Sequence, residues 1–310
     1  MSLQNLTDAE LKEALLLKER LNTLTKQDAC QSGFMSFIEH IWPEFICGRH
    51  HKVFAQKLED IATGKINRLI INMPPRHTKS EFASTYFPAW IMGKYPNKKI
   101  MQTTHTGELA NRFGRKVRNM MDTKEYQAIF PDVTLSADSK SAGRWETNKG
   151  GEYFAAGVGG AITGRGADLL IIDDPHSEQD ALSPSAMEAC WEWYTSGPRQ
   201  RLQPKGAIVL VMTRWSSVDL TAKLLEAQKE PLADKWEIVE FPAIFPDTEN
   251  PLWPEFWSKE ELLSVKASLP VMKWNAQWMQ TPTAEEGSII KREWWNEWKH
   301  DTLPGVQYII

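Results

Sequence analysis

Two short stretches bring phosphate chemistry within reach of this chain. In RLIINMPPRHTKSEFAS, Arg68 to Ser84, an apolar run is followed by a turn and then by Lys79 and Ser80, where a helix is predicted to open. A lysine ammonium can reach phosphate oxygens and the hydroxyl beside it can hold Mg²⁺, while the helix N-terminus aims backbone N–H groups at the same anion. Ninety-four residues after Lys79, the run LLIIDD places Asp173 and Asp174 at a strand's C-terminal edge, where ligands of open α/β sheets collect. There the two carboxylates can divide the work: Asp173 holds Mg²⁺ through water, and Asp174 polarises an attacking water as general base.

The Lys-Ser pair departs from the usual phosphate-loop pattern, GxxxxGK[ST], whose glycines let backbone amides turn inward around phosphates. The eight positions here are Met73, Pro74, Pro75, Arg76, His77, Thr78, Lys79 and Ser80, with no glycine among them. The strand before and the helix after are what give the stretch its reading as a nucleotide site. A later apolar run, GAIVLVMTRWSS, ends on Thr213 and Arg214, which a parallel sheet would bring near a γ-phosphate. The segment GVGGAITGRGAD, Gly157 to Asp168, holds five glycines and presents Arg165. It reads either as a mobile loop carrying an arginine finger for a neighbouring subunit's γ-phosphate or as a flexible surface loop with an exposed arginine. Arg112, Arg115, Lys116 and Arg118 read as a solvated helix face rather than a phosphate grip.

These residues need a scaffold of alternating strands and helices. TDAELKEALLLKERLNTL opens with a capping box, Thr7 to Glu10, and spaces Leu11, Ala14, Leu15 and Leu21 as one helical face. HKVFAQKLEDIATG predicts a helix ending at Gly64 and leading into a strand over Leu69 to Asn72. KKIMQTT predicts a strand over about 99–103, lying between the two motifs in sequence, so that the motifs do not occupy adjacent strands. In the helix that follows, Leu109, Phe113, Val117 and Met120 line one face. Further strands are predicted at GEYFAAG, ADLLIIDD and GAIVLVMT, with a helix at SAMEACWEWYTS. Apolar runs without period-two polarity imply a largely parallel sheet covered on both faces. After Lys229 the texture changes to one more strand at KWEIVEFPAIF, Pro-rich turns and Trp-rich helices. His50, His51 and Gln56 are candidate adenine contacts, though polar residues at a helix start explain them as well.

With 310 residues the chain can bury a substantial core. Its 42% hydrophobic and 25% charged residues are ordinary for a globular protein, and a net charge of −4 gives no bulk attraction to nucleic acid. Cys30, Cys47 and Cys190 fit no metal spacing and suit a reducing intracellular compartment. No apolar run approaches the roughly 20 residues of a membrane span, so a soluble protein is expected. The tryptophans gathered in the last third, from Trp253 and Trp257 through Trp274 and Trp278 to Trp294, Trp295 and Trp298, read as packing residues rather than a base-stacking surface.

Taken in order, INMPPRHTKSEFAS, GGAITGRGADLLIIDDP and VLVMTRWSSVDL resemble the ATPase domain of the large terminase subunit of tailed bacteriophages, from about His50 to about Asp219. The resemblance implies an α/β P-loop NTPase of the ASCE type, with a mainly parallel central sheet and a small C-terminal lid or linker subdomain. It implies an ATP-hydrolysing motor that moves double-stranded DNA into a procapsid. Pro75, Arg76, His77, Thr78, Lys79, Ser80 and Thr213 would contact ATP, and Ser80 and Asp173 would hold Mg²⁺. Asp174, Arg76 (the extra arginine of this loop) and Arg165 (the trans-acting finger) would be catalytic, and Thr213 would belong to the coupling motif. The implied partners are double-stranded DNA, the portal protein, the small terminase subunit and further copies in a ring. No membrane is implied, and the site of action is the host cell cytoplasm.

The sequence departs from that family at Thr78, where glycine is common, and in its Asp-Asp pair, where the second acid is usually Glu. It also stops at Tyr308-Ile309-Ile310, where the first strand of an RNase H-like nuclease would begin. The expected divisions are therefore an N-terminal helical segment at 1–48, the ATPase core at 49–229, a Trp-rich lid at 230–304 and the start of a truncated nuclease at 305–310. Endonuclease activity is expected only of a full-length protein. Two other functions stay open: another P-loop DNA-dependent ATPase of helicase-like type, and an assembly module with a degenerate nucleotide loop that docks on portal or small terminase.

Overall fold

The computed structural model describes residues 8–283, and in it the apolar runs become strands because only a two-sided helical cover removes so many Ile, Val and Leu side chains from water. The strands are β1 (Arg68–Asn72), β2 (Lys99–Thr104), β3 (Leu135–Lys140), β4 (Arg144–Thr147), β5 (Glu152–Gly157), β6 (Ala167–Asp173), β7 (Leu202–Met212) and β8 (Glu237–Glu240). They form one sheet in the order β3-β4-β5-β2-β6-β7-β1-β8. From β5 to β8 every pairing is parallel, and the β3-β4-β5 edge is antiparallel. The strand carrying Asp173 is separated from β1 by β7, so the two motif strands are not neighbours. The spacer is the strand that follows them in sequence; β2 lies on the far side of β6.

Strand pleating divides the core into two layers. Leu69 and Ile71 of β1 face one layer, which includes Phe34 and Phe37 of α2 (Phe34–Ile41), Phe54 and Leu58 of α3 (Arg49–Ala62), Trp90 of α4 (Phe87–Lys94), Val117 of α5 (Gly107–Met121) and Tyr126 of α6 (Lys124–Ile129). Ile70 faces the other, made by Cys190 and Tyr194 of α7 (Pro184–Ser196) with Leu220 and Leu224 of α8 (Leu220–Ala227). Each fully buried large side chain contributes roughly 1.5–3 kcal/mol to holding the layers together. Gly64 ends the chain's turn after α3 at φ 74, as its position predicts. Among the described residues no helix is long and apolar enough to cross a membrane, and Cys30, Cys47 and Cys190 are free thiols.

The structure differs from the sequence reading at several elements. On α5 the buried stripe is Ala110, Phe113, Gly114, Val117 and Met121, with Leu109 and Met120 only half-buried. Gly114 turns the helix this way because it meets the sheet edge, where a Cβ would lie 2.5 Å from the Ala142 carbonyl oxygen. The polar runs of β3 and β4 carry no strand signal, yet they pair as an antiparallel extension. The division expected at 229/230 does not bound the sheet, since β8 pairs in parallel with β1. In the N-terminal helix α1 (Asp8–Ser32), Leu15 and Leu21 are exposed, while Cys30 near its C-terminal end is buried in the core. Trp274 and Trp278 stack at 5.6 Å within a small core that also holds Leu262 of α9 (Lys259–Ser268). Trp294, Trp295, Trp298 and the expected nuclease strand lie outside the described residues.

Candidate functional site

The C-terminal ends of β1, β6 and β7 meet at one edge of the sheet, and the loop after β1 is shaped there by its own sequence. Pro74 and Pro75 cannot extend the strand ladder, and Arg76 and Thr78 adopt left-handed backbone, with φ of 62 and 66, on either side of His77. Alternation of this kind curls a backbone into an anion-binding nest. Left-handed φ is unusual for any residue with a Cβ and most strained for a β-branched one such as Thr78. His77 turns inward: its Nδ1 donates to the Pro75 carbonyl oxygen at 2.8 Å and its ring packs 6.2 Å from Trp257, with no solvent exposure. Burial pushes its imidazole down to about 4. Its side chain is therefore held inside the loop, away from the cavity. Arg76 is exposed beside the cavity described below.

Lys79 and Ser80 face the two acids. Lys79 Nζ lies 2.8 Å from Asp174 Oδ2, and the Ser80 hydroxyl donates to Asp173 Oδ1 at 3.0 Å. Ser84, four residues after Ser80 and so on the same side of the helix, donates to Asp173 Oδ2 at 2.6 Å and is held in turn by Gln102 at 2.9 Å. The segment Glu81–Tyr86 is π-helical, a feature often found at functional sites. Asp173 is 1% exposed. Burial, reinforced by the neighbouring Asp174 charge, pushes its carboxyl up to about 7, against the opposing pull of Lys79, Ser84 and Ser80. Lys79 offsets the charge of Asp174, while Asp173 is shielded from solvent. Ser80 and Asp173 are the donors Mg²⁺ takes when phosphates supply its remaining ligands, and their chemistry fits it.

Asp174 stands at φ 42, its Oδ1 accepting from the Thr213 N–H at 2.8 Å. The Thr213 hydroxyl is turned to the Met73 carbonyl oxygen at 3.1 Å, so Thr213 ties the acid to the start of the loop after β1. Arg214 does not reach toward Lys79: its guanidinium is buried against Asp219 at 2.9 Å and Glu240 at 3.4 Å, and its N–H donates to Gln280 at 3.1 Å.

Arg165 lies apart from the rest. The glycine-rich segment returns from the C-terminal end of β5 to the opposite sheet edge, where Arg165 pairs with Glu152 and covers the Phe154 ring at 4.2 Å. The seven residues of β6 separate that edge from Asp173 by roughly 20 Å. Lys116, on the basic face of α5, pairs with Glu81 at 2.6 Å.

A cavity of about 670 Å³ opens beside Arg76, Thr78, Lys79 and Ser80. Its far wall is aromatic: Trp42 and Phe45 from the segment after α2, and Trp253, Phe256 and Trp257 from the C-terminal segment. Trp253 and Phe256 stack at 4.4 Å, and Trp42 stacks on Tyr86 at 5.4 Å. Among the described residues, the tryptophans of the last third thus divide into core members and cavity walls. His50, His51 and Gln56 do not line this cavity. His51 bonds to Thr78, His50 is buried, and Gln56 donates to Asp60 at 3.3 Å. Ser84 was discoverable from its spacing to Ser80; the aromatic wall comes from segments some two hundred residues apart in sequence and left no local signal.

Comparison with known proteins finds no matching family model and no matching curated protein. Among solved structures, the HK97 bacteriophage large terminase is similar at a TM-score of 0.51 and 15% identity, over 81% of this chain and 55% of that one. The Thermus phage P74-26 large terminase ATPase domain gives 0.44 at 14% identity, over 68% and 87%. A large terminase from a thermophilic bacteriophage in complex with ADP gives 0.43 at 13%, over 72% and 53%. The HK97 likeness shows the fold, an α/β architecture with a mostly parallel sheet, and the chain spans about half of that protein's length.

Proposed function

We propose that this chain is the ATPase part of a bacteriophage large terminase, a Mg²⁺-dependent ATP hydrolase that drives double-stranded DNA into a procapsid. One observation carries the reading. Lys79 with Ser80, and Asp174 with Asp173, come from segments more than ninety residues apart and meet in two direct contacts at the mouth of an aromatic cavity. The cavity suits a nucleotide: phosphates lie on the curled loop and Lys79, and a base lies among Trp42, Phe45, Trp253 and Phe256. Ser80 and Asp173 would hold Mg²⁺, which when bound would offset the negative charge of the phosphates.

The Lys79–Asp174 pair gives the reaction an order. Phosphate oxygens arriving at Lys79 compete with the Asp174 carboxylate for the ammonium. Asp174, released on that side and still held by the Thr213 N–H, is then free to take a proton from the attacking water. The carboxylate is left about one quarter exposed, within reach of a water.

Portal protein, small terminase subunit, DNA and a ring of copies are the partners this function requires, and the host cytoplasm is where it operates. In such a ring, Arg165 acts on a neighbour's nucleotide only if that neighbour docks at the sheet edge opposite Lys79. The left-handed Thr78 favours a second reading, an assembly module that no longer binds nucleotide. Phosphate release measured with Mg²⁺-ATP, alone and with double-stranded DNA, portal and small terminase, separates the two. Turnover that is lost in both Lys79→Ala and Asp174→Asn supports the motor. No hydrolysis under any of these conditions would exclude it.

A further inference from the structure

Thr78 is held by an unbroken chain of hydrogen bonds that begins outside the phosphate loop. At the start of α3 the Gly48 N–H donates to His51 Nδ1 at 2.8 Å. With Nδ1 accepting, the neutral ring carries its proton on Nε2, which lies 2.7 Å from Thr78 Oγ1 and donates to it. The Thr78 hydroxyl passes the direction on, donating to the His77 carbonyl oxygen at 2.6 Å. Every donor in the chain has one acceptor.

The His51 ring has no freedom to leave this arrangement. It is fully buried, stacked on Phe82 at 5.0 Å and edge-on to Phe45 and Trp253 at 4.7 and 4.8 Å. Gly48 is required at its position, because a Cβ there would lie 2.7 Å from the Trp253 ring and 2.9 Å from that of His50. The side chain at its far end is Thr78, a β-branched residue in a backbone conformation that glycine adopts without strain. Its immediate neighbour is Lys79.

We propose that His51 is a positioning residue of the phosphate loop: by gripping the Thr78 hydroxyl it fixes the left-handed turn before Lys79 that a glycine would otherwise supply. The inference rests on the ATP reading above. It makes the loop's lack of glycine a substitution compensated from α3 rather than a lesion, and it links the loop to the aromatic wall of the cavity, since Trp253 packs on both His50 and His51.

The test is a double-mutant cycle on the full chain, read twice: by thermal unfolding without nucleotide and by the affinity of a fluorescent ATP analogue with Mg²⁺. His51→Phe keeps the ring and removes the donor. It should weaken binding about tenfold, or ~1.4 kcal/mol, and Thr78→Val, which keeps the β-branch and removes the hydroxyl, should do the same. In the Thr78→Gly background His51→Phe should change affinity less than about twofold, because nothing remains to be gripped. His51→Gln, whose amide can donate to Thr78, should recover most of the loss. Equal losses from His51→Phe in both backgrounds would show ordinary packing and overturn the positioning role while leaving ATP binding intact. Coupling in the unfolding data with no nucleotide binding by any variant would overturn the ATP reading and the positioning role with it.

Discussion

Asp173→Asn should make the protein more stable while removing its function. The buried carboxyl of Asp173 is pushed up to about 7 from an ordinary 3.8, burial being the main cause. The folded state therefore binds this proton more tightly than the unfolded chain does. The site's stability contribution is full below about pH 4, declines through the window up to about 7, and reaches its full cost above that. Keeping an ionised carboxylate buried beside a second one costs on the order of a few kcal/mol above that window. An asparagine is neutral and its carbonyl oxygen can still accept from Ser80 or Ser84, but its buried amide N–H groups cost about 1–3 kcal/mol where they find no acceptor. The net gain is roughly 1–3 kcal/mol, several degrees in melting temperature for a chain of this size.

The assay is thermal unfolding of both proteins in EDTA from pH 4 to pH 8. His50 and His51, whose imidazoles burial pushes down to about 3 and about 2, give the parent an opposing slope, because they stay neutral while the unfolded chain takes up protons below about 6.5. The difference between variant and parent cancels them. That difference should grow between pH 4 and 7 and then level. A variant that melts below the parent at pH 8, with a difference independent of pH, would refute the electrostatic account of Asp173.

Other perturbations test other parts. Phe256→Ala removes a half-exposed ring from the cavity wall. It should weaken ATP-analogue binding by ~1–2 kcal/mol with little change in melting temperature; equal affinity would place the base elsewhere. Arg214→Met strands the fully buried Asp219 carboxylate and should cost about 3–5 kcal/mol in urea unfolding, whereas a loss below ~1 kcal/mol would deny the ion pair its role. Arg165→Ala removes a cation from the Phe154 ring and from Glu152, and should lower stability by about 1 kcal/mol in denaturant titration. Unchanged stability together with lost turnover in the assembled motor would instead point to action on a neighbouring copy.

The parts of the fold that sequence made legible are those specified locally. LLIIDD and GAIVLVMT announce buried strands by apolar composition, Gly64 announces a helix end, and Lys79-Ser80 announces a helix start after a strand. What escaped depends on pairing at a distance. β8 reads like part of a separate region because its partner β1 lies about 170 residues earlier. β3 and β4 carry polar sequences that become strands only by adding to the β5 edge. Sequence singles out Thr78 as the doubtful residue of the loop, and the structure places it at φ 66. It does not reveal His51, twenty-seven positions upstream, as the group that holds it. Arg165 lies far from Lys79 in its own chain for a geometric reason: a loop leaving the C-terminal end of β5 must return to the opposite edge to begin a parallel β6.

Isothermal titration of the protein with ATPγS, with and without Mg²⁺, tests the joint site of Lys79, Ser80, Asp173 and Asp174 most directly. Saturable one-to-one binding is expected with Mg²⁺, weakened tenfold or more by Lys79→Ala and losing its Mg²⁺ dependence in Asp173→Asn. Binding that is indifferent to Mg²⁺ and to both substitutions, or no binding heat from the folded protein at millimolar nucleotide, would contradict it.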